Sequence, residues 1–137
     1  IKYDRDLSIN NVLSALGNVA YDEYFKLLNA ILDGDSATLV QIIDQLYDNG
    51  VNLKHFVNMF LEFCFDVTKY LLTQNIQITK IPEHYLEQIN SVINFTDAIK
   101  YYNYITDKLL ALKQSIRNDD NEKVTIEVMF NQISRFV

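Results

Sequence analysis

Glycine and proline are scarce in this chain of 137 residues, which contains three glycines and one proline. So few turn-forming residues disfavour a sandwich of many short strands and favour long helices. No apolar run approaches the roughly 18 residues that a membrane-spanning helix requires. No charged segment followed by an apolar one marks a signal peptide. The sequence begins at Ile1 and not at a methionine, so we expect it to be a piece of a longer protein.

Cationic side chains are in the minority, with 12 lysines and arginines against 18 aspartates and glutamates and a formal net charge of -6. This balance disfavours a general nucleic-acid surface, because affinity for phosphates comes from clustered lysine and arginine. The single cysteine, Cys64, cannot form an internal disulfide, so we expect a reducing compartment. Apolar residues still make up 49% of the chain, which is enough for a packed core.

Apolar residues recur at the three- and four-residue steps that are typical of helices packed by one face. The pattern and the capping residues predict seven helical segments. The first four are 8–16, ended by Gly17; 21–32; a segment that begins at Asp35 or Ser36 and is ended by Gly50; and 53–73, capped by Asn52. The last three are a segment that starts at Pro82, a segment capped by Thr96 or Asp97, and a segment that follows a polar loop at 118–121. Residues 74–80 are expected to form an extended connector.

The predicted helix over 53–73 differs from the others because apolar residues cover most of its circumference. They form one stripe of seven residues and a second of four: Phe56, Met59, Phe60, Phe63, Val67, Tyr70 and Leu71, then Val57, Leu61, Phe65 and Leu72. A helix with apolar residues on most sides is buried on several of them. We therefore predict an all-α fold, a bundle of six or seven helices around this central, largely buried helix.

Residues that could carry catalysis or hold a metal do not form a recognisable motif. His55 and His84 lie far apart in the sequence, and Cys64 has no cysteine or histidine at a ligand spacing. The glycines stand singly at helix ends, so there is no glycine-rich phosphate loop. We expect no catalytic, cofactor-binding or metal-binding residue in this chain, and we interpret Cys64 as a small buried apolar residue.

One alternative is a small-ligand-binding or enzymatic bundle in which Glu62, Asp66 and Tyr70 line a pocket in the core. Acidic residues four apart on one helix can form an acid–base pair. Lys69 lies three residues from Asp66, however, and can act as its counter-charge. A polar stripe is the simpler interpretation.

The sixth predicted helix carries the candidate interface residues Tyr101, Tyr104 and Lys108. With Tyr102 on the inward side, Tyr101 and Tyr104 are expected to point to the flank, beside Lys108. Tyrosine next to a basic residue is typical of protein contact surfaces. The alternative is that this flank packs on another helix of the same domain.

The order of the helix-ending residues resembles the third domain of the gamma/tau subunit of bacterial DNA polymerase III. The matching features are helix ends, an aromatic residue at the start of the long helix, and a late Leu-Lys followed by a helix: Leu16 and Gly17; Ile31, Leu32, Gly34 and Asp35; Leu46 and Gly50; Phe56; Asp66; Leu112 and Lys113; and Ile126, Glu127 and Val128. Phe65 stands where that family carries an arginine.

The resemblance implies a role in a clamp loader. In that family the third domain is a helical collar that packs beside the collars of other subunits, while two preceding domains form an ATPase that loads the sliding clamp on DNA. The present chain would then be a collar (oligomerisation) domain over 9–137, with residues 1–8 as the tail of the preceding ATPase lid. A collar of another clamp-loader subunit, or an unrelated helical adaptor, is the alternative.

The resemblance also implies partners and a location. The partners would be other clamp-loader subunits and copies of this chain, with no direct contact to nucleic acid and none to a membrane. ATP and magnesium would belong to the ATPase domains of the parent protein, and this piece would bind no cofactor. The location would be the bacterial cytoplasm.

Overall fold

The computed structural model describes residues 20–135 of the chain. Six α-helices follow one another in this range: α1 (20–33), α2 (Ser36–Asp48), α3 (Leu53–Thr73), α4 (Leu86–Ile93), α5 (Ala98–Ser115) and α6 (Glu122–Arg135). Two short 3-10 turns, Ile76–Ile78 and Glu83–Tyr85, lie between α3 and α4. These residues include no strand, which confirms the prediction of an all-α bundle. The helix expected over 8–16 lies outside the described residues.

Side-chain caps start two of the helices at the predicted positions. The Asn52 side chain accepts a hydrogen bond from the His55 backbone N–H at 3.1 Å, before α3. Asp35 accepts one from the Thr38 N–H at 3.1 Å, before α2, so Asp35 and not Ser36 is the cap. Each bond satisfies a backbone donor that the first helical turn leaves without a partner. The local sequence therefore sets these helix starts.

Helix α3 is the central element, as predicted, and packs against α4, α5, α6 and the 3-10 turn Ile76–Ile78. Its inward side chains, including Val57, Phe60, Cys64 and Val67, are fully buried. Phe63 lies at the middle of an aromatic cluster, with ring centroids 5.3 Å from Tyr24 and 4.9 Å from Phe25 of α1.

Further ring contacts extend this cluster to other parts of the chain. The Phe60 ring lies 5.7 Å from Phe130 of α6, and the Phe25 ring lies 5.4 Å from Tyr85 in the second 3-10 turn. Aromatic pairs contribute roughly 0.5–1.5 kcal/mol each beyond the area they bury. The cluster therefore holds α1, α3, α6 and the second 3-10 turn together.

The second apolar stripe of α3 is only half buried, which corrects the expectation. Val57 and Leu61 are buried, but Phe65 is 50% exposed and Leu72 is 61% exposed. Residues seven apart lie on the same side of a helix, so Phe65 and Leu72 share one side of α3. An apolar strip of α3 consequently reaches the surface.

The connector after α3 is a turn and not the extended segment that we expected. Ile76–Ile78 form a 3-10 turn in which Ile76 is buried, and Ile81 is buried further on. The Asp66 carboxylate accepts a hydrogen bond from the Lys80 backbone N–H at 3.3 Å. Two isoleucines in the core and one carboxylate on α3 thus hold the connector close to the bundle.

Helices α4, α5 and α6 complete the bundle much as predicted. The inward side chains of α5 are buried, and so is Ile116 directly after the helix: Ala98, Tyr102, Ile105, Leu109 and Leu112. The Tyr102 hydroxyl donates to the Val92 carbonyl at 2.6 Å and so joins α5 to the end of α4. Asp97 occupies the position before α5, but its side chain makes no capping hydrogen bond and its φ is +62°.

We predict that Phe60→Ala lowers the free energy of unfolding by about 3–5 kcal/mol, because it leaves a cavity among the rings around α3. Phe65→Ala on the same helix is the matched control and should cost less than about 1 kcal/mol, because half of that ring is already in water. Denaturant unfolding followed by circular dichroism measures both values. Equal losses for the two variants would contradict the assigned core.

A second prediction concerns the left-handed backbone at Asp97. Asp97→Ala should lower the free energy of unfolding by about 1 kcal/mol, because alanine tolerates a positive φ poorly. Asp97→Gly should preserve or raise stability, because glycine adopts this conformation without a steric penalty. Thermal and denaturant unfolding of the pair provide the measurement. A glycine variant less stable than the alanine variant would show that φ at this position is not positive.

Candidate functional site

The predicted interface residues on α5 separate into a core residue and a surface pair. Tyr101 is buried, and its hydroxyl donates to the Ile133 carbonyl of α6 at 3.5 Å. The expectation that Tyr101 points away from the core is therefore wrong, and the alternative, packing on another helix of the same domain, holds for it. Burial is the main reason that the pKa of Tyr101 is raised above its ordinary value.

Tyr104 and Lys108 form the outer part of this flank. Tyr104 is partly buried against the core, and its ring lies 6.4 Å from that of Tyr101. The Lys108 ammonium lies 5.6 Å from the centre of the Tyr104 ring, a cation–π distance. An interface role for these two residues stays a prediction.

The structure does not bring Glu62, Asp66 and Tyr70 to one pocket. Asp66 is buried, accepts from the Lys80 N–H and lies 3.6 Å from the Lys69 ammonium. Glu62 is exposed and lies 3.4 Å from the Lys80 ammonium.

Tyr70 points to another part of the chain and donates its hydroxyl to the Asn90 side chain at 3.3 Å. All three polar groups thus have structural partners in the fold. Nothing in this arrangement supports a catalytic pocket around them.

Potential metal ligands do not cluster either. Among residues 20–135, no group of three or more His, Cys, Asp or Glu side chains could hold a metal ion. Cys64 is fully buried, as interpreted from the sequence, and burial raises the pKa of its thiol well above the ordinary range. A thiol with so high a pKa stays protonated and is a poor nucleophile. Among the described residues, no helix is long and apolar enough to span a bilayer.

Exposed apolar side chains are instead concentrated on two faces of the bundle. The first, the α3/α5 face, consists of Phe65, Leu72, Phe95, Ile99 and Leu110. Shallow depressions follow the groove between the two helices: one is lined by Leu61, Phe65, Thr106 and Leu110, and another by Leu71, Phe95 and Ile99.

The second face, the α2/α6 face, consists of Val40, Tyr47, Val51, Val124 and Val128. Val40, Tyr47 and Val51 recur at steps of seven and four, beside Asp44. The Lys123 ammonium of α6 lies 2.8 Å from the Asp44 carboxylate and 5.0 Å from the centre of the Tyr47 ring. Exposed apolar side chains that are grouped on one face are candidates for an interaction site.

Helical periodicity in the sequence did not indicate these two faces as candidate sites. Phe65 and Leu72 were assigned to a buried stripe, and nothing singled out Ile99 or Leu110. The available signal was their position on α5, off the stripe that runs through Tyr102 and Leu109. Apolar residues outside the inward stripe of a helix are candidates for a surface contact.

The buried tyrosines predict a loss of stability in alkali. The Tyr85 hydroxyl donates to the Asp22 carboxylate at 2.9 Å, and burial together with this carboxylate raises the pKa of Tyr85 to about 12. The folded state therefore holds the phenolic proton more tightly than the unfolded state does. This contribution to stability is complete below about pH 10 and is lost as the pH rises through about 12.

Unfolding experiments at alkaline pH test this expectation. Tyr85→Phe should make the fall in stability between about pH 10 and 12 less steep. Asp22→Asn should move part of that fall to lower pH, because it removes the negative charge that raises the tyrosine pKa. Ultraviolet absorbance of tyrosinate reports the ionisation directly. A pH dependence unchanged in both variants would contradict the Tyr85–Asp22 interaction.

Comparison with known proteins identifies the family of this fold. The family model described as DNA polymerase III subunits gamma and tau domain III matches residues 7–104, which is more than half of the chain. Neither a curated protein nor a solved structure matches this chain. The matched range ends before Leu112, so the later part of the sequence resemblance stays a prediction. The chain belongs to the domain III family of the gamma and tau subunits of DNA polymerase III, a family of clamp-loader subunits.

Proposed function

We propose that this chain is the collar of a clamp-loader subunit, the domain that joins subunits into the complex that loads the sliding clamp on DNA. Membership of the gamma and tau domain III family carries the proposal. This family context also favours the collar over an unrelated helical adaptor.

The surface and interior of the bundle are consistent with an assembly role. The interior is filled by aliphatic and aromatic side chains, and the polar residues considered for a pocket are used in structural contacts. Ten large apolar side chains are exposed on the α3/α5 and α2/α6 faces. An oligomerisation domain needs such surfaces, because association gains free energy by removing apolar area from water.

The proposal implies a longer parent protein that contains this chain as one of its domains. Residues 1–8 would be the tail of an ATPase lid and residues 9–137 the collar. ATP and magnesium would bind in the ATPase domains of the parent, and clamp loading would take place in the cytoplasm. The collar would keep several subunits together while the ATPase domains act on the clamp.

Reconstitution with the partner subunits tests the assembly role. The purified chain is mixed with the other clamp-loader subunits and analysed by size-exclusion chromatography with light scattering, with the parent polypeptide as positive control. We expect the chain to co-elute with partner subunits and, in excess, to reduce assembly of the parent. Assembly of the parent without any binding or competition by the chain would contradict the proposal.

The surface pair on α5 yields a sharper prediction. Tyr104→Ala combined with Lys108→Ala should weaken binding to partner subunits by about tenfold or more, the effect of removing an aromatic anchor and its cation. Tyr101 is left unchanged because it belongs to the core. Leu86→Ala, at an exposed apolar residue elsewhere, is the control and should bind normally.

Circular dichroism and unfolding must show that both variants keep the fold. Unchanged affinity of a folded Tyr104/Lys108 variant would remove this flank from the interface.

A further inference from the structure

Basic side chains are grouped at one end of the groove between α3 and α5, where α5 ends. A depression of about 370 Å³ there is lined by three cations and four uncharged residues: Lys54, Lys113 and Arg117, with Asn58, Leu110, Gln114 and Ile116. This grouping contrasts with the composition of the whole chain, which has 12 cations against 18 acidic residues. The depression is therefore a candidate site for an anionic group.

The Lys54 ammonium is compensated by neighbouring carboxylates. It lies 3.6 Å from the Glu122 carboxylate of α6. The hydrogen bond from the Thr125 hydroxyl lowers the pKa of Asp119 most, and the charge of Lys54 lowers it further. Lys54 also donates a hydrogen bond to the Arg117 carbonyl at 3.2 Å. Lys54 therefore holds the chain after α5 in place and adds little uncompensated charge to the depression.

Lys113 and Arg117 keep their charges available for an external group. In the described part of the chain, no carboxylate forms an ion pair with either residue. The negative pole of α5 corresponds to only about half an elementary charge, so it offsets a fraction of the two. The hydrogen bond from Lys54 fixes the backbone from which the Arg117 guanidinium extends. These two cations thus form a partly preorganised site for carboxylates or phosphates.

An apolar depression lies directly beside the basic one and shares Leu110 with it. Its volume is about 290 Å³, and its lining consists of Leu61, Glu62, Phe65, Thr106 and Leu110. Phe65 and Leu110 are 50% and 46% exposed, and the Glu62 carboxylate lies 3.4 Å from the Lys80 ammonium. The two volumes together fall within the range of roughly 300–1,000 Å³ that is usual for ligand sites.

The distance between the two depressions defines the spacing of groups within a ligand. Thr106 lines the apolar depression and Lys113 lines the basic one. They are separated by about 10 Å along α5, at 1.5 Å per residue. An extended chain covers this distance with about three residues. A peptide with an apolar side chain about three positions from its carboxylates therefore reaches both depressions.

We propose that this end of the α3/α5 groove binds an acidic segment of another protein. An apolar side chain of the segment packs between Phe65 and Leu110, and its carboxylates pair with Lys113 and Arg117. Arginine binds a carboxylate through two parallel hydrogen bonds. Burial of the apolar side chain adds the free energy that exposed ion pairs alone do not supply. The proposal goes beyond the assembly role and does not depend on it.

An acidic protein segment fits this site better than a nucleic acid does. A phosphate backbone gains affinity from many cations along its path, and only Lys113 and Arg117 are uncompensated here. The net charge of -6 repels a long polyanion more strongly than a segment with a few carboxylates. The neighbouring apolar depression also matches a protein side chain.

A designed peptide tests the site by nuclear magnetic resonance. The probe is an end-capped peptide with two adjacent aspartates and a phenylalanine three positions away, titrated into the isotope-labelled chain. We expect the amide resonances of residues 106–117 to shift, with a dissociation constant below about 1 mM. Affinity should fall as salt is added. Peptides with asparagine in place of both aspartates, or serine in place of the phenylalanine, should bind at least about tenfold more weakly.

A matched pair of double variants tests the two cations. Lys113→Ala with Arg117→Ala should weaken binding of the peptide by about tenfold or more. Lys26→Ala with Lys100→Ala is the control, because it removes the same charge from exposed positions outside the basic depression and should leave binding unchanged. All four residues are exposed, so we expect circular dichroism to show that the fold is retained.

A second matched pair tests the apolar depression. Phe65→Ala should also weaken binding of the peptide by about tenfold, because the ring forms one wall of this depression. Leu72→Ala is the control: Leu72 is exposed on the same side of α3 but lines neither depression, so its loss should not change the affinity.

Four results would overturn the proposal. The first is an absence of shifts at about 1 mM peptide, and the second is binding that survives the loss of both cations or of the Phe65 ring. The third is a set of the same shifts when the chain is concentrated without peptide, since a second copy would then occupy the groove. The fourth is a single-stranded oligonucleotide that binds Lys113 and Arg117 more tightly than the peptide does. Reconstitution with partner subunits is measured separately, so a failure here leaves the collar role standing.

Discussion

The burial of α3 is the constraint on which the rest of the bundle depends. Twenty-one residues of this helix run through the domain, and most of its circumference is apolar. Such a helix is stable in water only when other helices cover it, because each large side chain that is buried stabilises the fold by roughly 1.5–3 kcal/mol. Helix α1 supplies aromatic rings on one side, and α5 and α6 supply aliphatic and aromatic side chains on the others. The remaining uncovered strip is the one that contains Phe65 and Leu72.

Polar groups determine how the connections between these helices are made. Asp66 holds the turn after α3, Tyr102 joins α5 to the end of α4, and Tyr85 reaches Asp22 on α1. Each is a polar group in or near the core that is hydrogen-bonded there, as buried polar groups must be. These interactions explain why acidic and phenolic groups in the interior need no catalytic role. They also give the bundle its expected sensitivity to alkali.

Family membership and surface properties together point to assembly. The family is defined by a domain of clamp-loader subunits, and the exposed apolar side chains of the described residues lie mainly on two faces. The bundle holds these two faces at fixed positions, because α3 belongs to the first face and packs against α6 of the second.

Helix positions could be predicted from residues 20–135 because they depend on local features. Asn52 caps its own helix, the steps between Tyr102, Ile105 and Leu109 define one face, and Gly34 and Gly50 stand at helix ends. The order of the helix-ending residues in the sequence also indicated the family. The roles of Tyr101 and Phe65 were misjudged because helical periodicity shows which residues share a side but not which sides a neighbouring helix covers. Helix α6, far away in sequence, buries Tyr101, while the packing of the described helices leaves half of Phe65 exposed. Burial at a helix flank is a property of the packed bundle, and so are the two faces that its helices leave open.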